Sequence, residues 1–302
     1  MAATFWAFPG QGSQEPGMGR RLAAAHVVAA DVFDEASASL DIDMRALMWD
    51  SPASVLTRTE NAQPAIVTLG EAARRVWHAT DVVSSPQWVT GHSVGALGAA
   101  IAAGALSFRD GVHLARRRGE LMSSAPGEGA MLAVAVTSDD GRTTVLETAR
   151  ACDVDIACHN GSRQIVLSGQ REHLERVRQV LGSRARFLDV SHGFHSRLMD
   201  PVLGAWELCL RDTPIGAPHI PLLSSVTGHL LHTVDDVLHD LLVGVRAPVR
   251  WDIVTALAED SSLDAVVFGN GEAFARMWRR SPGGLVSTVV DDRSVRGGAH
   301  AA

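Results

Sequence analysis

Apolar positions along the chain come in two rhythms. TFWAFP is a short apolar run closed by Pro9 and Gly10, which predicts a strand running into a loop. Residues 20 to 40 follow helical spacing, and NAQPAIVTLGEAARRVW predicts a helix with Asn61 as its cap. PQWVTGHS predicts a short buried strand. VGALGAAIAAGALS then predicts a helix of small residues able to pack closely, and FRDGVHLARRRGELMSSA an amphipathic one. Strands alternating with helices imply α/β layering around a mostly parallel sheet.

The rhythm changes from about residue 130. MLAVAV reads as a strand, SDDGRTTVLETARAC as a helix, and VDIACHN and RQIVLSG as two strands parted by Gly161 and Ser162. QREHLERVRQVLGS reads as a helix supported by Glu172 and Arg176 at i,i+4, and RARFLDV as a strand. The order β-α-β-β-α-β is the split, ferredoxin-like pattern. PLLSSVTG and AVVFGN afterwards read as buried strands of the larger unit. The expected organisation is a discontinuous large domain over 1–127 and 197–290, an inserted subdomain over 128–196, and a disordered tail over 291–302. A cleft between the two units is a natural substrate site.

Composition narrows the function classes. The chain has 302 residues, 46% hydrophobic and 20% charged, ample for a sizeable core. Its formal charge is −7 and all 27 of its basic residues are Arg, so nucleic acid is not an expected partner. Cys152, Cys158 and Cys209 follow no metal or disulfide spacing. No signal-peptide pattern opens the sequence and no apolar run is long enough for a membrane span, so the expected location is the cytoplasm.

Gly91-His92-Ser93-Val94-Gly95 matches G-x-S-x-G between a predicted strand and a predicted helix. In that setting the glycines let the backbone turn where no side chain fits. Ser93 is then exposed at a helix N-terminus with the Val94 N–H aimed at a developing oxyanion. The simpler alternative is a serine capping a helix. The elbow implies an α/β-hydrolase-like large domain. His92 adjoins the serine, but elbow geometry points neighbouring side chains apart, so it reads as a packed support. In VSHGFHSRLMDP, His192 and His195 offer a general base. They lack a convincing third partner for a metal, and no metal is expected.

FPGQGSQEPGMG, ENAQPA, GHSVG, RRRGELM, HNGSRQIVLSG, GFHSRLMDP and APVRW occur in this order from about Phe5 to Arg280. The chain thereby resembles the malonyl-CoA:acyl carrier protein transacylases and the acyltransferase domains of polyketide synthases. The resemblance implies Ser93 as the acylated nucleophile and His195 as its base. It implies the backbone N–H groups of Gln11 and Val94 as the oxyanion hole, and Arg118 as a clamp on a malonyl carboxylate. It places the main-chain carbonyl that orients the base at Gly244, and it adds His92, Phe194 and Gln63 to the substrate site. Phe194, in HGFH, would fill the space of an α-methyl group. Read on charge alone, Arg116-Arg117-Arg118 is instead a solvated helix face.

No bound cofactor is implied. A coenzyme A thioester is the donor, the phosphopantetheine of an acidic acyl carrier protein the acceptor, and neither a membrane nor nucleic acid a partner. Arg184 and Arg186, or Arg276, Arg279 and Arg280, are candidate basic patches for that carrier. The family usually has an acidic residue where Ala96 stands, and Gln or Asn where Gly244 stands; FGNGEAF also departs from its pattern. Alternatives are transfer of another acyl group, editing hydrolysis of acyl carriers, a non-catalytic carrier-docking module, and a general esterase, which would need an acid partner for His195.

Overall fold

The computed structural model describes residues 3–79, 85–278 and 285–293. The strand β1 (Thr4–Phe8) opens the chain and is followed by the helices α1 (Arg20–Ala25), α2 (Val27–Leu40), α3 (Met44–Trp49), α4 (Ala53–Leu56) and α5 (Thr59–His78). Next come β2 (Val89–Gly91), α6 (Gly95–Ala102) and α7 (Phe108–Ser123). A second group follows: β3 (Gly129–Ala135), α8 (Asp139–Ala151), β4 (Asp155–His159), β5 (Gln164–Gln170), α9 (Arg171–Leu181) and β6 (Ala185–Phe187). The chain then returns through α10 (Asp200–Arg211), β7 (Leu222–Leu223), β8 (Leu230–Leu231), α11 (Val234–Val243), α12 (Trp251–Asp260), β9 (Asp264–Phe268), α13 (Glu272–Trp278) and β10 (Ser287–Val290).

Two sheets result. The larger has the order β10-β9-β1-β2-β7-β8, and all its pairings are parallel except β7 with β8. The smaller, β4-β5-β3-β6, is antiparallel, and its βαββαβ order is the ferredoxin-like one. The fold is therefore α/β with a separate small sheet. Each sheet has its own apolar cluster, the larger around Phe5, Trp6, Phe33, Trp206 and Phe268, the smaller around Leu132, Ile165, Leu167 and Leu174. The two meet at β4, where Cys158 bridges to Val249 and the His159 N–H donates to the Val249 carbonyl at 2.8 Å.

Several expected boundaries move, each for a local reason. The periodic stretch 20–40 is two helices, because His26 is extended at φ −135°. Helix α5 begins at Thr59, so Asn61 is not its cap; the Asn61 amide donates instead to the Val55 carbonyl at 2.9 Å. Pro64 sits inside that helix and cannot donate to the carbonyl of Glu60. Arg116 Nη1 donates to that oxygen at 3.0 Å and to Asn61 Oδ1 at 2.8 Å, which satisfies the group the proline leaves open. On α9 the ion pair is Arg178 with Glu175 rather than Glu172 with Arg176. The first residues of the expected disordered tail are held in place: Asp292 Oδ1 accepts from the Leu22 N–H at 2.8 Å, and Arg293 pairs with Glu15. Residues 294–302 lie outside the described residues. Among the described residues no helix is long and apolar enough to cross a membrane.

Candidate active site

The turn between β2 and α6 has no room for side chains at its glycines. A Cβ on Gly91 would lie 2.0 Å from the Gly95 carbonyl, and one on Gly95 2.1 Å from the Phe8 carbonyl oxygen. Between them Ser93 is held at φ +55°, a conformation an L residue adopts only where its surroundings impose it. The His92 N–H donates to the Phe8 carbonyl at 3.0 Å, and Ser225 Oγ donates to the Gly91 carbonyl at 2.7 Å. The elbow is thus pinned to the strands on both sides. Val94 caps α6, so its N–H faces outward where the helix dipole is positive.

His195 reaches the serine from the loop after β6. Its Nε2 lies 2.7 Å from Ser93 Oγ, and its Nδ1 lies 3.0 Å from the Ala247 carbonyl. A carbonyl only accepts, so Nδ1 carries the proton and Nε2 is free to take one from Ser93. The orienting carbonyl is therefore Ala247's and not that of Gly244, as the sequence suggested. Gly244 closes α11, its N–H donating to Asp240 at 2.9 Å, and the chain needs three more residues to turn back over the imidazole. His195 also sits at positive φ, +54°, and its N–H donates to the Val245 carbonyl at 3.3 Å. Arg197, two residues on, clasps Asp153 and Asp155 of the small-sheet region at 2.8 and 2.9 Å. His192 does not reach Ser93; its Nδ1 is buried without a partner, and its ring lies 6.4 Å from that of Phe194.

Of the three consecutive arginines, the helix turns two outward and one inward. Arg116 and Arg117 pair with Glu120. Arg118, 4% exposed, lies on the apolar stripe of α7 with Val112, Ala115 and Met122. Its Nη1 donates to Gln63 Oε1 on α5 at 2.9 Å and its Nη2 to Ser93 Oγ at 3.3 Å. Among the described residues no carboxylate pairs with it. Burial lowers its pKa to about 10, so it stays cationic at neutral pH.

The loop after β1 leans on the elbow, since a Cβ at Gly10 would lie 2.6 Å from the His92 carbonyl oxygen. Gln11 follows, its side chain donating to Thr59 at 3.2 Å. His92 Nε2 donates to Asn160 Oδ1 at 2.9 Å, and its ring packs on Trp251 and Phe274. The reading of the sequence gave Asn160 no role, although it stands in the HNGSRQ stretch. A cavity of about 610 Å³ opens beside these residues, lined by Gln11, His92, Asn160, Trp251 and Phe274. The crevice holding Ser93 and Arg118 measures only about 10 Å³. Phe194 is 4% exposed and packs in the main core. Of the expected carrier patches, Arg186 and Arg276 are exposed and Arg184 is half-buried, while Arg279 and Arg280 lie outside the described residues.

One buried and one half-buried histidine give the fold a pH dependence. The His195 pKa falls to about 3, first through burial, then through the nearby Arg118 and His92 charges, against a small pull from Ala247. The His92 pKa falls to about 4, mainly through burial, against its bond to Asn160. Both stay neutral in the native state, whereas in the unfolded chain they take protons near pH 6.5. Their contribution to stability is therefore complete above pH 6.5 and is lost as pH falls toward 4. The thermal midpoint is expected to fall between pH 6.5 and 4, less steeply in His195→Asn; a midpoint that rises on acidification contradicts the burial of these rings.

The family profile described as acyl transferase domain matches residues 5–240. The chain is 32% identical over 301 residues to the malonyl CoA-acyl carrier protein transacylase of Bacillus subtilis (strain 168), covering 97% of this chain and 94% of that one. It is 38% identical over 296 residues to the mycoketide-CoA synthase of Mycobacterium tuberculosis, covering 95% of this chain but 7% of that protein. Its fold is similar to the crystal structure of an acyl-carrier-protein-S-malonyltransferase from Bartonella henselae, with TM-score 0.90, 32% identity and coverage of 96% and 95%. It is also similar to PlMCAT in a complex described as a type II PKS acyl-carrier protein with its malonyl-transacylase. There the TM-score is 0.89, with 29% identity and 96% coverage of both chains.

Proposed function

The chain belongs to the acyl transferase domain family, and on that premise we propose that it moves a malonyl group from coenzyme A to the phosphopantetheine thiol of an acyl carrier protein, in fatty acid or polyketide synthesis. The observation that carries this reading is Arg118. A buried guanidinium held, among the described residues, by the neutral groups of Gln63 and Ser93 is a costly arrangement unless a carboxylate completes it. An acyl group ending in a carboxylate, with its thioester at Ser93, completes it.

The reaction follows from the hydrogen bonds. His195 Nε2 takes the Ser93 proton as Oγ attacks the thioester carbon. The N–H groups of Val94 and Gln11 hold the oxyanion, and the thiolate leaves with the proton from His195. The acyl-serine remains until the carrier's thiol enters and reverses the sequence. The Ala247 carbonyl keeps the proton on Nδ1, so no triad carboxylate is required. The crevice at Ser93 has room for about one water at most, far less than a malonyl group. The Arg118 guanidinium therefore moves off the Ser93 hydroxyl as the malonyl group enters. We take residues 128–196 as one inserted lobe; it carries His195, and the other lobe carries Ser93.

The test is the intact mass of the protein after exposure to malonyl-, methylmalonyl- and acetyl-CoA. One malonyl increment, lost on adding holo carrier protein, is expected. Retention of that increment in the presence of carrier, with slow loss to water alone, points to hydrolysis instead. Labelling by acetyl-CoA in preference removes the role given to Arg118.

A further inference from the structure

The 610 Å³ cavity beside the elbow is graded from base to mouth in a way the acyl chemistry does not use. Its base holds Trp251, 1% exposed, and Phe274, 9% exposed, with the carboxamides of Gln11 and Asn160 along its walls. Its mouth carries two exposed arginines, Arg163 and Arg276. They come from distant parts of the chain. Arg163 lies in the link between β4 and β5 of the small sheet, and Arg276 on α13, between β9 and β10 of the large one. Among the described residues neither forms an ion pair, whereas Arg197, Arg246 and Arg250 all do.

This grading matches one ligand class. A phosphopantetheine arm has a thiol end, two amides, a gem-dimethyl carbon and a phosphate. With the thioester at Ser93, the amides face carboxamides, the methyl groups face aromatic rings, and the phosphate falls where the charge is positive. From this we infer that Arg163 and Arg276 clamp the phosphate of the phosphopantetheine arm across the cleft, and so read the feature common to the coenzyme A donor and the carrier acceptor. A guanidinium fork suits a phosphate better than an ammonium, which fits a chain whose basic residues are all arginine. The inference rests on the transacylase reading, because it takes the arm's direction from the acyl group at Ser93. It also assigns these two side chains to the arm rather than to the folded surface of the carrier.

The experiment compares the wild type with Arg163→Gln, Arg276→Gln and the double variant. Donors are malonyl-CoA and malonyl-pantetheine, which lacks the phosphate; the acceptor is holo carrier protein. Each single change is expected to raise KM for malonyl-CoA about 10-fold and the pair about 30- to 100-fold, with kcat within about twofold. KM for holo carrier rises in parallel, and kcat/KM for malonyl-pantetheine is unchanged. Equal losses with malonyl-pantetheine would mean the arginines only shape the cavity, and the clamp is then wrong. A loss confined to malonyl-CoA would assign them to the nucleotide phosphates, which also overturns a contact shared by both partners. Malonyl-pantetheine acylation with a malonyl-CoA KM indifferent to the double change removes the clamp and leaves the transacylase reading standing. A wild type acylated by neither thioester overturns both.

Discussion

Ser93→Ala is expected to form no acyl-enzyme at all, and His195→Ala to form it about 10²- to 10⁴-fold more slowly, the usual contribution of a positioned general base. The reasons differ. Without Oγ no atom on the elbow can carry the acyl group, so neither time nor substrate concentration recovers the increment. Without His195 the hydroxyl keeps its proton and attacks as a poor nucleophile, but the Val94 and Gln11 N–H groups still favour the oxyanion. The residual rate of His195→Ala should rise with pH as hydroxide replaces the imidazole. In the wild type, by contrast, a base whose pKa lies near 3 is already neutral across the physiological range. His192→Ala serves as the control, since that ring does not reach Ser93, and its rate should stay close to wild type. Labelling that survives in Ser93→Ala would remove the serine from the mechanism. A larger loss in His192→Ala than in His195→Ala would assign the base to the wrong histidine.

The parts of this site that were legible in the sequence are those fixed by side-chain identity. Ser93 stands in a motif whose glycines have a steric meaning, and the 2.0–2.1 Å approaches at Gly91 and Gly95 are that meaning in three dimensions. The small residues of α6 were likewise a packing signal, since a Cβ at Gly98 would lie 2.9 Å from the Phe8 ring. The carbonyl that orients His195 could not be read. Every residue has one, so only the path of the turn after α11 selects Ala247 over Gly244.

Arg118 falls between these cases. As the third of three arginines it looked like part of a solvated face. Its spacing of three from Ala115 and four from Met122 places it on the buried stripe of α7, and that phase was present in the sequence. The start of α5 failed differently. Asn61 is a good cap and Arg58 a poor one, yet Arg116 from another helix supplies the bond that Pro64 withholds and holds the Asn61 side chain as well, so a tertiary contact overrides the local preference. Strand β8 has two residues, too few for any periodicity to register, whereas the equally short β7 was read within the apolar start of PLLSSVTG.

Arg118→Ala is expected to invert the donor preference, and the two sides of that inversion have separate causes. With malonyl-CoA, the distal carboxylate leaves water as it enters the cleft. The wild-type guanidinium replaces that solvation with charge-assisted hydrogen bonds. Alanine leaves the carboxylate buried and unpaired, a loss on the order of 3–5 kcal/mol, or at least a hundredfold in kcat/KM. With acetyl-CoA no such anion enters. The uncancelled Arg118 charge is the second-largest cause depressing the His195 pKa, after burial. In the malonyl complex the carboxylate cancels that charge, so the substrate itself restores basicity to the imidazole. In the acetyl complex nothing does. Arg118→Ala removes the charge for both donors, so acetyl transfer should hold or rise while malonyl transfer falls. Lys at this position keeps the charge but not the two-pronged geometry, and should recover malonyl transfer only in part. Gln63→Leu offers a milder version, since it frees the guanidinium from its 2.9 Å partner without removing it. The measurement is kcat/KM for malonyl-CoA over acetyl-CoA in each variant, together with the acid limb of the acetyl reaction, which should move to higher pH when the arginine is gone. A ratio unchanged by Arg118→Ala would mean that the buried guanidinium serves the fold and not the substrate, and another acyl group would then take the place of malonyl.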